Sequence, residues 1–298
     1  MPGNLTFPPG FATIDANNVL TINQFLDSPT RVERALRTLV EQRFISDVLL
    51  AGRASPSGGS IMYEQNESIY ADRQTLEAIQ PGGEFPVTTV GLGPALISSV
   101  SKWGLDTPVH LEEVMRTRIM PVNRALTKLG NTVVKQVDSN ALAAVQAAVT
   151  TTQAATAAWG TSGAKILLDI LTAKASIYAL NQGYDPDTLV ISDLKSAQLM
   201  SDITVQTAMR RENPSNPVYT GQWATQLGGL DVLVTSNAPN TGEALVLDRK
   251  VLGGQADERP FTTGTRWWEP TETWWLRALR VTTPWVQEPA SAVRITGI

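Results

Sequence analysis

The run IMPVNRALTKLGNTVVKQVDSNALAAVQAAV, residues 119–149, constrains this chain more than any other stretch. Its apolar residues Ile119, Val122, Leu126, Leu129, Val133, Val137, Ala141 and Val145 recur at steps of three and four. That spacing places them on one side of a cylinder and predicts a single amphipathic helix. Pro121 falls in its first turn, where the missing N–H costs nothing and the fixed φ helps nucleation. The opposite side carries Arg124, Lys128, Asn131 and Lys135. At 1.5 Å per residue such a helix is about 45 Å long, more than a small domain is wide. Other elements must therefore pack along it.

On either side of this helix the chain changes character. Residues 1–27, rich in Pro, Gly and Asn, read as an extended arm, with room for a short strand at 19–25. Ser28 and Pro29 suit the N-cap and first turn of a helix that ends before Gly52. Residues 60–102 read as a long hairpin. SIMYE, FPVTTVG and LISSVSKWG are its predicted strands, and QPGGEFP is a turn with positive φ at Gly82 and Gly83. A lone hairpin is marginal in water, so this one is expected to project and find its packing outside its own chain. Asp106 or Thr107 is expected to cap a short helix at 110–117.

Beyond the long helix, residues 150–163 read as a small-residue linker. A helix over 164–181 follows, capped by Ser162, with Leu167, Ile170, Leu171 and Ile177 inward and Gly183 as its stop. TLVIS (188–192) is a buried strand, and Asp193 caps a helix reaching about Ser201. An irregular stretch then leads to strands at 230–236, 243–248, 263–268, 273–282 and 292–296. Helices and strands alternate without a regular βαβ rhythm, which makes the class α+β.

Several function classes are disfavoured by composition. A net charge of −4 and a pI near 5.2 lack the basic footprint of a dedicated nucleic-acid binder. Without cysteine there is no disulfide, thiolate metal site or cysteine nucleophile. No apolar run is long enough for a membrane span, and MPGNLTFPPGF lacks the regions of a signal peptide, so a soluble, unexported chain is expected. His110 is the only histidine, too few for a zinc site and without an evident triad. Neither G-x-S-x-G nor a P-loop occurs, and Asp185-Pro-Asp187 reads as a turn. No catalytic residue, cofactor or metal is expected. Trp267, Trp268, Trp274, Trp275 and Trp285 crowd the tail, where core and interface are the expected uses and a stacking platform the other.

The order of these elements carries a resemblance. The arm, the PGGEFP hairpin and VHLEEVMR precede MPVNRALTKLGNTVVKQVD; NQGYDPDTLVIS, RRENPSNPVYTGQW and GGLDVLVTSNAP follow it. The series resembles the major capsid protein of tailed bacteriophages, particularly those infecting actinobacteria. The resemblance implies the caudoviral capsid fold, shared with encapsulins and the herpesvirus capsid floor. On that reading 1–27 is the N-terminal arm and 28–59 a helix and corner. Residues 60–102 are the E-loop that lies across a neighbour, and 103–150 the peripheral domain with its spine helix. Residues 151–276 form the axial domain, and 277–298 return to the peripheral sheet.

Arm and E-loop residues Phe7, Phe11, Ile61, Tyr63, Ile69, Phe85 and Val87 would meet other subunits, and Arg124, Lys128 and Lys135 would face the lumen. Partners implied are many copies of the chain in pentamers and hexamers, portal, scaffolding and decoration proteins, and weakly held packaged DNA. Assembly would take place in the host cytoplasm and end in the virion. Some relatives carry a scaffolding segment before the arm; here the arm is short and begins at Met1, which implies a separate scaffold or none. Some relatives also cross-link an E-loop lysine to an asparagine, but residues 59–101 contain no lysine. The alternatives are an encapsulin-type compartment, or a carbohydrate-binding or hydrolytic protein using the tryptophans.

Overall fold

A computed structural model describes residues 44–56, 58–72, 76, 78–117, 120–208 and 226–298. The expected arm with Phe7 and Phe11, most of the first helix and the stretch 209–225 lie outside the described residues. The described end of that span holds a separate short helix, α1 (Ser46–Leu49), with Phe44 and Ile45 outside it, followed by β1 (Gly52–Ala54).

The long helix is present as α3 (Met120–Ala148), preceded by α2 (Leu111–Thr117). Val122, Leu126, Leu129, Val133, Val137, Ala141 and Val145 are all buried, while Arg124, Lys128, Asn131 and Lys135 are exposed. The apolar stripe serves two sheets. Its N-terminal half packs with Phe261, Leu276 and Ala278, and its C-terminal half with Leu49, Leu245, Leu247 and Val286. Each fully buried Val or Leu stabilises by about 1.5–3 kcal/mol, so the stripe holds the two parts of the body together.

The first sheet comprises β1, β10 (Gly253–Trp268), β11 (Thr273–Val286) and β4 (Ser101–His110), in the order β1-β10-β11-β4. The second contains β5 (Thr152–Ala154), β6 (Thr188–Ile191), β7 (Gln226–Leu227), β8 (Leu230–Val234), β9 (Ala244–Leu247) and β12 (Ala292–Thr296). Its order is β5-β12-β9-β6-β8-β7. Helix α4 (Ile166–Tyr178) covers it through Ile166, Ile170, Ala173 and Ile177, and α5 (Asp193–Ser201) and α6 (Ile203–Ala208) follow β6.

The structure corrects several sequence expectations. Asp106, Thr107 and Pro108 lie in β4 rather than capping a helix, because Asp106 stands opposite Arg277 and is held there. Residues 150–163 are not a bare linker: β5 pairs in parallel with β12, and Trp159 is buried with its indole N–H donating to Asp169. Asp169 also accepts from the Thr156 backbone, so this buried carboxylate, not Ser162, organises the approach to α4. Leu171 is 42% exposed rather than inward. Ser192, not Asp193, occupies the N-cap of α5.

The tail also departs from expectation. The boundary expected at 276/277 falls inside β11, and β12 joins the second sheet instead of returning to the first. Strand β10 begins ten residues earlier than periodicity suggested, since Gly253 and Gly254 let it pass close to β1 and Trp285. A Cβ on Gly254 would stand 2.3 Å from the Gly52 carbonyl oxygen and from the Trp285 ring.

Candidate subunit-contact surfaces

The hairpin forms β2 (Ser60–Glu64) and β3 (Ala95–Ser99), paired antiparallel from Ser60 opposite Ser99 to Glu64 opposite Ala95. FPVTTVG, expected as a strand, has no strand pairing, and of the two turn glycines only Gly82 has positive φ. The hairpin buries little. Phe85 is 80% exposed, Val87 88% and Ile69 62%, whereas Ile61 and Tyr63 are half-buried by their own chain. Leu76, Val90 and Leu92 are equally open. An isolated apolar residue on a surface is ordinary, but this many on one thin hairpin mark a surface meant to be covered.

The root of the hairpin is tied to its own subunit by polar contacts. The Gln65 amide donates to the Val286 carbonyl at 3.0 Å, and the Asn66 N–H to the Gln287 carbonyl at 3.1 Å. Glu67 N–H donates to the Glu288 carboxylate, Ile69 N–H to the Gln182 side-chain carbonyl, and the Tyr70 hydroxyl to the Asn181 carbonyl. Glu288 is buried and also accepts from the Tyr184 hydroxyl at 3.0 Å. Burial, then the neighbouring Glu288, pushes the Tyr184 phenol well above its usual value, so it remains a donor. These partners are more than a hundred residues apart in sequence, and only the positive φ of Asn66 marks the bend locally. Sequence reasoning missed them for that reason.

Where the chain leaves toward its N-terminus, a second anchor holds it. Asp138, on the buried side of α3, accepts from the backbone N–H groups of Ile45 and Ser46 at 3.3 and 3.0 Å. Burial raises its carboxyl above the ordinary range, opposed by those hydrogen bonds. Arg280 is 3% exposed; its guanidinium reaches Asp47 and Asp257 at 2.8 Å each and lies 4.6 Å from the Phe44 ring centre. Burial opposes its charge, but hydrogen bonds to Asp257 and Asp47 prevail and raise its pKa.

Arg124, Lys128 and Lys135 form an exposed row on the side of α3 turned away from the first sheet. His110 ends β4 at the surface, its Nδ1 3.0 Å from the Thr273 hydroxyl, with no oriented base beside it among the described residues. Trp274 packs on the core with Trp267 at 5.0 Å between ring centres, Trp285 is buried, and Trp268 is 46% exposed. Among the described residues no group of His, Asp and Glu side chains is placed to hold a metal, and no helix is long and apolar enough to cross a membrane.

With this architecture in place, comparison with known proteins is direct. A family model described as phage capsid protein matches residues 94–295, from the start of β3 into β12. The chain belongs to the phage capsid protein family. It is a structural protein of the phage capsid shell, with the α+β capsid fold. Among solved structures this capsid protein is similar to the virus-like particle from Pyrococcus furiosus. The identity is 14% over 89% of this chain and 98% of that one, with a TM-score of 0.63. It is similar to a chain of Microbacterium phage Oxtober96, at 12% identity over 85% and 90% of the two chains, with a TM-score of 0.61. It is also similar to the capsid of cyanophage P-SCSP1u, at 12% identity over 82% and 85%, with a TM-score of 0.63. No curated protein matches it.

Proposed function

We propose that this capsid protein is the major subunit of an icosahedral shell that encloses the double-stranded DNA of a tailed phage. Copies associate as pentamers and hexamers, assemble in the host cytoplasm and remain in the virion. The observation that carries the reading is the contrast between a body with well-packed cores and a hairpin whose residues Ile69, Phe85 and Val87 are left open by the described residues of the subunit. A neighbouring copy supplies that cover for Ile69, Phe85 and Val87. The arm, with Phe7 and Phe11, threads another copy, and Ile61 and Tyr63 complete the contact near the root. Residues 60–102 are then the E-loop, α3 the spine of a peripheral domain, and the second sheet the axial domain.

In this arrangement Arg124, Lys128 and Lys135 face the lumen, where a short basic row meets packaged DNA weakly. Portal and scaffolding proteins, and any decoration protein, complete the particle. The subunit acts without catalysis, and its hairpin, with no lysine before Lys102 at its base, forms no isopeptide cross-link. Particles boiled in detergent should give a single band at 32.2 kDa.

Mass photometry of the purified protein tests the reading: pentamers, hexamers or shells support it, and a strict monomer under all assembly conditions refutes it. Deleting residues 62–84 should leave a folded subunit that no longer closes shells. One observation favours a second reading, an encapsulin-type compartment: 98% of the Pyrococcus virus-like particle chain is covered. Nuclease-protected DNA in the particle excludes that reading, and a co-purifying cargo enzyme establishes it.

A further inference from the structure

We infer that the open edge of β4 is a pairing site for the same edge of a second copy, the two strands running antiparallel about Gly104. This rests on the shell reading above and adds a contact between subunits that the reading does not specify. In the order β1-β10-β11-β4 this strand stands last, and among the described residues nothing pairs with its other side. It runs for ten residues, Ser101–His110. A strand edge of that length is a template for pairing unless something blunts it.

One hydrogen bond tells which backbone groups the edge presents. His110 stands opposite Thr273, and the Leu111 N–H donates to the Glu272 carbonyl at 3.0 Å. A bond from the residue after one partner to the residue before the other marks a pair that exchanges no bonds of its own. The register with β11 is unbroken, so Pro108, Asp106, Gly104 and Lys102 share this state by alternation. Their main-chain polar groups point away from β11, out of the sheet edge. Pro108, which lacks an N–H, sits where β11 asks for none. At the other end Val100 already gives its N–H to the Gly59 carbonyl at 2.9 Å. There the Ser98 hydroxyl lies 2.7 Å from that of Thr283 and donates to the Pro284 carbonyl at 3.1 Å, so β3 leaves the line of β4.

The edge is complementary to itself in one register. Outward-pointing residues must meet each other, so the two-fold axis falls on a residue. An axis at Trp103 sets Asp106 against Val100, whose N–H is already given. An axis at Leu105 sets Lys102 against Pro108, which returns no N–H. An axis at Asp106 sets two aspartates face to face. An axis at Gly104 places Lys102 of each copy opposite Asp106 of the other, and opposite charges directly across a strand pair attract. The pairing then ends where Val100 meets Pro108, the two residues without a free N–H. Lys102, Gly104, Leu105 and Asp106 are all exposed. Asp106 accepts two 2.7 Å hydrogen bonds from Arg277 and keeps lone pairs for a lysine. On the side of α3, Trp103 packs on the core beside Val109, while Leu105 is 46% exposed. In this register Trp103 of one copy covers Leu105 of the other. A lysine on an edge ordinarily blunts it, but Asp106 four residues on turns that repulsion into recognition of the chain's own copy. Such a contact is isologous and small, too small to join free subunits, and acts once many copies are held together.

The full chain contains no cysteine, so an introduced pair reads the register without background. Lys102→Cys with Asp106→Cys puts the thiols of two copies on Cα atoms about 5.5 Å apart, within reach of a disulfide. Within one copy the same positions lie about 13 Å apart along the strand and cannot join. Oxidised particles run without reductant should show a covalent dimer as the main band, and Lys102→Cys alone should give at least about tenfold less of it. Lys102→Asp sets like charges across the contact and should lower the fraction of protein in shells about fivefold at moderate salt, with unchanged circular dichroism. Particles without the dimer band, or with an equal band from Lys102→Cys alone, overturn the inference and leave the shell reading intact. No cross-link, but slowed amide exchange at Gly104 on assembly, gives the edge to another segment and overturns it too. Should the double-cysteine chain fail to assemble, Lys102→Asp decides, and an undiminished yield of shells overturns the inference. An unaltered chain that forms no particles defeats the shell reading, and the inference with it.

Discussion

The long helix α3 and the hairpin are opposite solutions to the same need for apolar burial. Helix α3 turns every residue of its stripe, from Val122 to Val145, against its own sheets. The hairpin leaves Leu76, Phe85, Val87, Val90 and Leu92 between 73% and 88% exposed and is fastened at its root by polar bonds. The first is a folding element, whose energy is spent within the subunit. The second holds its burial in reserve for association. Substitutions in the two regions should therefore separate cleanly, one class abolishing the fold and the other abolishing only the particle.

The largest effect is expected in the helix. Leu126 is 2% exposed, and Leu126→Asp puts an unpaired charge into the cluster with Leu276 and Phe261, costing about 4 kcal/mol or more. Soluble expression should be lost, whereas Lys128→Asp on the exposed side should leave the melting temperature unchanged. Equal behaviour of the two would remove the distinction between the faces.

Gly254→Ala comes next. The added methyl has to displace either the Gly52 backbone or the Trp285 ring, and overpacking of this kind costs about 1–3 kcal/mol. Urea denaturation should show a lower midpoint with an unchanged slope; an unaltered midpoint would mean that β1 is loosely held.

Asp138→Ala strips the Ile45 and Ser46 N–H groups of their acceptor, a loss of about 1–3 kcal/mol. Its pH dependence carries a definite sign. Because the folded carboxyl sits above its unfolded value, the folded state binds the proton more tightly. The associated stability is complete below the unfolded value, near 3.8, and is lost as pH rises through the raised folded one. Stability of the unaltered chain should decline across that window relative to Asp138→Ala. Parallel curves would show that the carboxyl ionises as freely folded as unfolded.

The smallest effect on the subunit belongs to the hairpin. Phe85→Ser with Val87→Ser should shift subunit stability by no more than about 0.5 kcal/mol, as for surface positions generally. The same pair should reduce closed shells measured by sedimentation. A marked drop in melting temperature of the isolated subunit would show that the hairpin folds on its own body, and the comparison would collapse.

What the sequence determined by itself was periodic and local. The three-and-four spacing from Val122 to Val145 specified α3 and its buried side, because a helix of that length has only one way to hide such a stripe. The lysine-free, apolar character of residues 60–101 was equally legible, as was the strand character of TLVIS and of the tryptophan-rich tail. The tertiary structure alone decided which strands share a sheet. Asp106-Thr107-Pro108 reads locally as a helix cap, yet pairing with β11 across 171 residues, from Asp106 to Arg277, outweighs that preference. The same holds for β5, whose small residues give no signal until β12 supplies a partner, and for β12 itself, which crosses to the second sheet. Lys102, Arg259, Arg266 and Arg277 share one face of the first sheet only because register brings them together from three strands, and register is a property of pairing, not of any one segment.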